Sequence, residues 1–221
     1  MAAGLARAHT AVRRILEAPV AGAMIGRALR LGVAVLALVA CAHGVRVTSA
    51  QTDLSSMLVV VVRHAEKAAE PANDPVLSIA GIARARALDS TLRMLRITDV
   101  VVSHLQRTRL TADPFIARTG ATVHVVPIGA AGVAVHVQAV ADTVRAIVRV
   151  AGHGALVVGH SNTVTAIVQA LGGPASPALC DSQYSQLFTL RGGSAGVKLT
   201  RGTYGAADPA DAACAAMRPA P

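Results

Sequence analysis

Aromatic residues are the main shortage of this 221-residue chain, which has two Tyr, two Phe and no Trp. Proteins that bind nucleic acids stack bases on aromatic rings, so the shortage argues against a nucleic-acid partner despite a net charge of +9. The charged fraction is also low, at 15%, whereas 53% of the residues are hydrophobic. This balance excludes an intrinsically disordered chain and predicts a core of small aliphatic side chains.

Cysteine is scarce as well, with three residues, which excludes a disulfide-dense scaffold. The sequence has no Cys/His pair at ligand spacing and no cluster of carboxylates. We therefore predict no metal site and no cofactor. The length suits one domain with an appendage.

The first fifty residues have the character of a targeting segment. They contain six arginines and one acidic residue, Glu17, and an apolar run over 31–42 follows Arg27 and Arg30. The run is too short for a bilayer core, which needs about 20 residues, but it is typical of a secretory signal. Translation could start at Met1 or at Met24.

Three processing routes remain open for this segment. Residues 38–41 resemble a lipobox, which would make Cys41 the lipidated N-terminus. Alternatively, cleavage after Ala50 would release a soluble product. In the third route the segment is not cleaved and forms a membrane anchor over roughly 18–42. Each route predicts an extracytoplasmic protein, either a cell-envelope lipoprotein or a secreted or periplasmic one, that meets the membrane only through its N-terminus. The predicted organisation is a signal segment at 1–50, a domain at 51–204 and a loosely held Ala/Pro-rich tail at 205–221.

Beyond residue 56 the pattern alternates strands and helices. Buried β-branched runs and stretches of helical periodicity follow one another with short links. The predicted strands are 57–62, 99–103, 122–126, 155–158, 186–190 and 197–200, and the predicted helices begin after Ser78 and cover 106–118, 135–150 and 163–171. In the first helix Ile82 falls on the apolar face and Arg84 on the polar face. The pattern predicts an α/β domain with a mostly parallel sheet sandwiched by helices.

Reactive side chains follow three of these strands. Arg63 and His64 follow the first strand, Ser103, His104 and Arg107 follow the second, and His160 follows the fourth. Because the carboxyl ends of parallel strands meet at one edge of a sheet, we expect an anion-binding site with a possible nucleophile there.

Four segments resemble the motifs of the histidine phosphatase superfamily, which has the phosphoglycerate-mutase-like fold. Residues 63–67 (RHAEK) are similar to its RHG/RHA signature, and residues 77–85 (LSIAGIARA) to its L-[ST]-x-x-G-x-x-[QR]-A segment. Residues 103–112 (SHLQRTRLTA) resemble S-x-x-x-R-T-x-x-T-A, and residues 156–163 resemble the segment of the second histidine. The four occur in family order over roughly 57–190, as expected for a minimal, exported branch.

The resemblance implies a phosphohydrolase that needs no metal. His64 would attack phosphorus and form a phosphohistidine, Arg63 and Arg107 would clamp the phosphoryl oxygens, and His160 would donate to them. Ser161, Asn162 and Lys67 are further candidates for substrate contact. The implied substrate is a small phosphorylated molecule or a phosphoprotein, and a mutase is less favoured.

The sequence departs from the family in the acid that protonates the leaving group. No Glu lies 20–30 residues after Arg107, and Ser161 stands where another branch has Asp. Asp113, His104 and Glu66 are the remaining candidates. The missing acid favours substrates with good leaving groups, and it also motivates an alternative function, a non-catalytic envelope lipoprotein that binds an anionic ligand.

Two cysteines remain for a disulfide once Cys41 is lipidated or removed. Cys180 and Cys214 would then form a bridge, which is expected outside the cytoplasm. The alternative is two unpaired thiols. The remaining histidines, His124, His136 and His153, are interpreted as surface or strand residues.

Overall fold

The computed structural model describes residues 57–193, 195–211 and 214. All of them belong to one compact unit, Gln51–Pro221. The predicted signal segment, with Cys41, Met24 and both processing sites, lies outside the described residues. No helix in the described part of the chain combines the length and apolar character needed to cross a membrane.

Six strands and four helices alternate along the described chain until the final hairpin. The strands are β1 (Leu58–Arg63), β2 (Asp99–Val102), β3 (Thr122–Val125), β4 (Ala155–Gly159), β5 (Gln186–Gly193) and β6 (Gly196–Thr203). The helices are α1 (Ile79–Thr91), α2 (Gln106–Thr119), α3 (Val133–Val148) and α4 (Val164–Ala170).

The strands form one mixed sheet in the order β3-β2-β4-β1-β5-β6. The first four strands of the chain are mutually parallel where they pair, and β5 and β6 extend the sheet as an antiparallel hairpin beside β1. This arrangement confirms the predicted α/β fold with a mostly parallel sheet between helices.

Alternate side chains of each central strand enter opposite halves of the core. Val59 and Val61 of β1 pack with α3 and α4, whereas Val60 and Val62 pack with α1 and α2. All four are fully buried. The continuous valine runs in the sequence reflect this burial on both faces, as is usual for parallel strands. The core is aliphatic, with Phe115 as its largest fully buried side chain.

Helix α1 departs from its predicted faces. Arg84, predicted on the polar face, is 4% exposed, and Ile82, predicted on the apolar face, is 45% exposed. The reason is a tertiary ion pair: the Arg84 guanidinium lies 2.8 Å from Glu66 Oε1 and donates to the carbonyl of Tyr204 at 2.9 Å. Buried pairing compensates for the burial of that charge.

The described part of the tail is not loose, contrary to the sequence-based expectation. Both carboxylate oxygens of Asp208 accept hydrogen bonds from the chain just before β5, including the backbone N–H groups of Tyr184 and Ser185 at 2.8 Å. A disulfide joins Cys214 to Cys180, the pair predicted from the sequence. Residues 205–211 and Cys214 are therefore held against the end of the sheet.

Candidate active site

The neighbouring strands β1 and β4 bring two histidines together. Arg63 pairs with Gly159 at the carboxyl ends of these strands, and the next residues are His64 and His160. Their rings meet edge to face with centroids 5.3 Å apart. The sheet edge predicted from the sequence is therefore where the two histidines lie.

His64 has the tautomer and charge of a nucleophile. Its Nδ1 donates to the carbonyl of Ala65 at 2.8 Å, which leaves the lone pair on Nε2. Burial lowers the pKa of His64 to about 4, and the positive charges of Arg63, Arg107 and Lys67 act in the same direction. The ring is therefore neutral near pH 7, the form in which an imidazole can act as a nucleophile.

Arg63 is held by backbone carbonyls of the segment before β5. One terminal nitrogen donates to the carbonyls of Cys180 and Asp181, both at 2.9 Å, and to that of Gln183 at 3.1 Å. The guanidinium carbon lies 4.0 Å from the centre of the Tyr184 ring. These contacts fix the plane of the guanidinium group beside His64.

Arg107 is supplied by the first turn of α2. Its nearest charged partner is Asp74, at 4.0 Å. Burial lowers the pKa of Arg107, and the like charge of Arg63 lowers it further. In the described part of the chain, the buried polar side-chain atoms without a hydrogen-bond partner are Nε of Arg63 and Nε of Arg107.

His160 lies on the turn between β4 and α4. Its backbone N–H donates to Thr163 Oγ1 at 2.9 Å, and its Nε2 lies 3.1 Å from Ser103 Oγ, the residue that follows β2. Burial lowers the pKa of His160 to about 3, with the nearby charges of His64 and Arg107 as further causes. Without an anion this ring is neutral, and a bound dianion would favour its protonated form.

The other predicted contact residues lie less deeply. Lys67 and Asn162 are exposed and Ser161 is half-buried. Lys67 is close enough for its charge to lower the pKa of His64. The backbone carbonyl of Ser161 accepts from the N–H of Leu179, which ties the turn after β4 to the segment before β5.

The candidate acids are engaged elsewhere. Both carboxylate oxygens of Glu66 accept from Arg84 Nε at 3.0 Å. Asp113 forms an exposed ion pair with Arg109 on the surface of α2. His104 Nδ1 accepts from the backbone N–H of Ile128 at 3.2 Å and the residue is exposed.

The motif around Gly81 shapes the loop after His64. Ser78 caps α1 by accepting from the Gly81 N–H, and its own N–H donates to the Glu66 carbonyl at 2.9 Å. A Cβ at position 81 would overlap that carbonyl oxygen. Residues 78–84 therefore hold the loop at Glu66 in place: Ser78 bonds to its carbonyl, Gly81 packs against that carbonyl, and Arg84 pairs with its carboxylate.

Sequence reasoning missed two residues at this edge. Tyr184, whose ring lies 6.3 Å from that of His64, sits in a link without periodicity. His136 is 4% exposed, unlike the predicted surface or strand histidine, and its Nδ1 contacts the Pro127 carbonyl at 3.2 Å. Its place in the first turn of the helix after β3 is the signal that could have identified it.

His124, in β3, and His153 are half-buried and flank the Asp99 carboxylate at 2.8 and 2.9 Å. In the described part of the chain, no group of three or more His, Cys, Asp or Glu side chains is arranged to hold a metal ion.

Comparison with known proteins agrees with this geometry. Residues 59–128 match the family model described as histidine phosphatase superfamily (branch 1). This range contains His64, both arginines and the Ser78–Arg84 segment. No curated protein sequence matches this chain.

Several solved structures share the fold. The protein histidine phosphatase SixA, complexed with tungstate, superposes with a TM-score of 0.50 at 20% identity, over 66% of this chain and 97% of that chain. The alpha-ribazole phosphatase from Shigella flexneri gives a TM-score of 0.50 at 17% identity, over 65% of this chain and 95% of that one.

A more distant match in sequence is the phosphoserine phosphatase from Entamoeba histolytica, at 13% identity and a TM-score of 0.50, over 68% of this chain and 98% of that one. The fold, the motif order and the family match over residues 59–128 agree in making this chain similar to the histidine phosphatase superfamily.

Proposed function

We propose that this protein is a phosphohydrolase that transfers a phosphoryl group to His64 and then to water. The observation that carries the proposal is the pair of buried, unpartnered Nε atoms of Arg63 and Arg107 beside the neutral ring of His64. A buried donor without an acceptor is costly. A phosphoryl oxyanion between the two arginines would accept from both.

Each residue has one role in the proposed reaction. The lone pair on His64 Nε2 attacks phosphorus, the bond from phosphorus to the leaving oxygen or nitrogen breaks, and the leaving group takes up a proton from solvent. Water then attacks the phosphohistidine, the phosphorus–nitrogen bond breaks, and the proton of water passes to solvent. Arg63, Arg107 and His160 stabilise the charge on the equatorial oxygens in both steps.

The engaged carboxylates favour a particular range of substrates. Glu66 is bound to Arg84 and Asp113 to Arg109, so neither is free to protonate a poor leaving group. We therefore propose phosphohistidines, acyl phosphates or aryl phosphates, in small molecules or phosphoproteins, rather than alkyl esters. A mutase is less favoured for the same reason.

The test is hydrolysis of p-nitrophenyl phosphate, whose leaving group needs no acid. We expect turnover by the wild type, none by His64→Ala, and a phosphohistidine on His64 after rapid acid-free quenching. His153→Ala, a histidine at the opposite end of the sheet, is the matched control and should retain activity. Active, folded His64→Ala protein would refute the mechanism.

The same engaged carboxylates favour one second candidate, an envelope module that binds a phosphorylated or carboxylated ligand without turnover. It predicts phosphate binding by the wild type with no phosphohistidine and no release of p-nitrophenol. The two functions therefore separate in a single assay.

We also propose that hydrolysis needs no metal and that the protein is exported. Activity should survive EDTA; loss of activity on chelation that a divalent ion restores would refute the claim that no metal is needed.

The Cys180–Cys214 disulfide supports export because disulfides persist outside the reducing cytoplasm. The mass of the native N-terminus distinguishes lipidated Cys41, cleavage after Ala50 and a retained anchor, and full-length cytoplasmic protein would refute export.

A further inference from the structure

A tethered segment forms one wall of the site. Residues 180–183, which we call the clamp loop, offer three carbonyls to a single nitrogen of Arg63, at 2.9, 2.9 and 3.1 Å. None of these contacts involves the sheet that carries Arg63. The direction of the guanidinium group therefore depends on a loop more than a hundred positions away in sequence.

The clamp loop is itself fastened to the tail. A disulfide joins Cys180 to Cys214. Ser182 Oγ donates to Asp211 Oδ2 at 2.7 Å, and the Cys214 N–H donates to Asp211 Oδ1 at 3.1 Å. Within the loop, the Gln183 amide oxygen accepts from the Cys180 N–H at 2.9 Å.

The orientation matters because it leaves the buried Nε of Arg63 without a protein partner. The three carbonyls occupy NH1, whereas Nε is buried and unpartnered. An arginine side chain has several rotatable bonds, so a guanidinium group without fixed partners samples other directions. The three carbonyls hold the guanidinium group through NH1, so Nε keeps one direction and stays available to an anion.

We propose that the Cys180–Cys214 disulfide is a positioning element for Arg63, which holds the clamp loop so that the guanidinium group faces the phosphoryl group. This inference rests on the proposed function. It makes phosphate binding depend on the oxidation state of two cysteines that do not touch the substrate.

The first experiment compares oxidised protein with protein reduced by a phosphine. We expect reduction to raise KM for p-nitrophenyl phosphate and the dissociation constant for vanadate by about 10-fold to 10²-fold, the range that a small displacement of a positioning group produces. The variant Cys180→Ser/Cys214→Ser should behave like reduced protein and ignore the reductant. Equal constants in oxidised and reduced folded protein would overturn the proposal.

A double-mutant cycle separates positioning from general loss of stability. In an Arg63→Ala background, opening the disulfide should leave the vanadate dissociation constant unchanged, although it should lower the unfolding midpoint as much as in the wild type. An equal loss of vanadate affinity in both backgrounds would show that the bridge acts without Arg63, and would overturn the proposal.

Gln183→Ala covers the case in which the protein without the disulfide does not fold. It keeps the bridge and removes the hydrogen bond inside the clamp loop, and we expect a smaller rise in the same two constants that again vanishes with Arg63→Ala. Unchanged constants in Gln183→Ala would then count against the proposal. Oxidised wild type that binds vanadate but releases no p-nitrophenol would refute the phosphohydrolase alone, because the binding measurement stands by itself.

Discussion

Arg107 and Arg109 lie two positions apart in α2 and have different environments. The Nε of Arg107 is buried and unpartnered, whereas the side chain of Arg109 is 50% exposed and pairs with Asp113 one turn later. A surface pair of this kind contributes little to stability, and its loss leaves the reacting groups untouched. The two residues therefore form a matched pair for mutation.

We expect Arg107→Ala to lower kcat/KM for p-nitrophenyl phosphate by on the order of 10²-fold or more, as loss of a donor to transition-state charge does. Arg109→Ala should change it by less than about twofold, because an exposed pair is worth less than about 1 kcal/mol. Steady-state kinetics of both variants decides the matter. Similar losses in the two would contradict the assigned role of Arg107.

The pattern of the sequence places residues well when their role is local. His64, Arg63 and His160 follow buried strands, and strand ends are visible as the ends of valine runs. The sequence pattern does not predict the burial of Arg84 and His136, because that burial depends on their tertiary partners, Glu66 and Pro127. Tyr184 has no local signal at all, since its place beside Arg63 depends on the path of the clamp loop.

At the level of elements, the sequence predicts the strands and helices to within a few residues. Strands β5 and β6 both end about three residues beyond their predicted ends, at Gly193 and Thr203, because they pair with each other along their whole length. Pairing between strands depends on long-range contacts, so the length of an apolar run predicts a strand shorter than the one that forms. Composition predicts a loose tail because it carries no information about the acceptors that Asp208 provides.

In helix α1, helix propensity and tertiary packing have opposite effects on the stability of a Gly81→Ala variant. Replacing Gly by Ala inside a helix usually gains about 1 kcal/mol. At Gly81 the added Cβ would overlap the backbone oxygen of Glu66, and backbone moves aside less readily than a flexible side chain. We therefore expect Gly81→Ala to destabilise the fold by about 1–3 kcal/mol, the usual range for overpacking.

Urea unfolding of Gly81→Ala measures this change, with Ala83→Gly on the exposed face of the same helix as the control. The control should lose about 1 kcal/mol from propensity alone. A Gly81→Ala protein that is more stable than the wild type would show that the close approach is not needed. Reduced kcat/KM should accompany the loss of stability, since the displaced loop directly follows His64.

On the scale of the whole molecule, the parallel sheet gathers four cationic or potentially cationic groups at one edge and leaves two of them neutral. Burial lowers the pKa of His64 to about 4 and that of His160 to about 3, while both arginines stay charged. The free site therefore holds less positive charge than its composition suggests. A dianion that enters would favour protonation of the histidines, because opposite charge raises their pKa.

This coupling predicts how anion affinity depends on pH. Sulfate keeps two negative charges across the working range, so any change reports on the protein. If bound sulfate raises the pKa of His64 and His160, the complex holds more protons than the free protein, and affinity must rise as the pH falls. Each proton taken up gives up to about tenfold in affinity per pH unit.

Calorimetric titration of sulfate from about pH 8 to about pH 5, in buffers of different ionisation enthalpy, counts the protons directly. We expect tighter binding and net proton uptake on the acidic side, and a smaller pH dependence in His64→Gln, which removes one titrating ring. Arg107→Ala should weaken sulfate binding at every pH, since a guanidinium group stays charged throughout. Affinity that stays constant or falls towards acidic pH would mean that the bound anion does not face the two histidines.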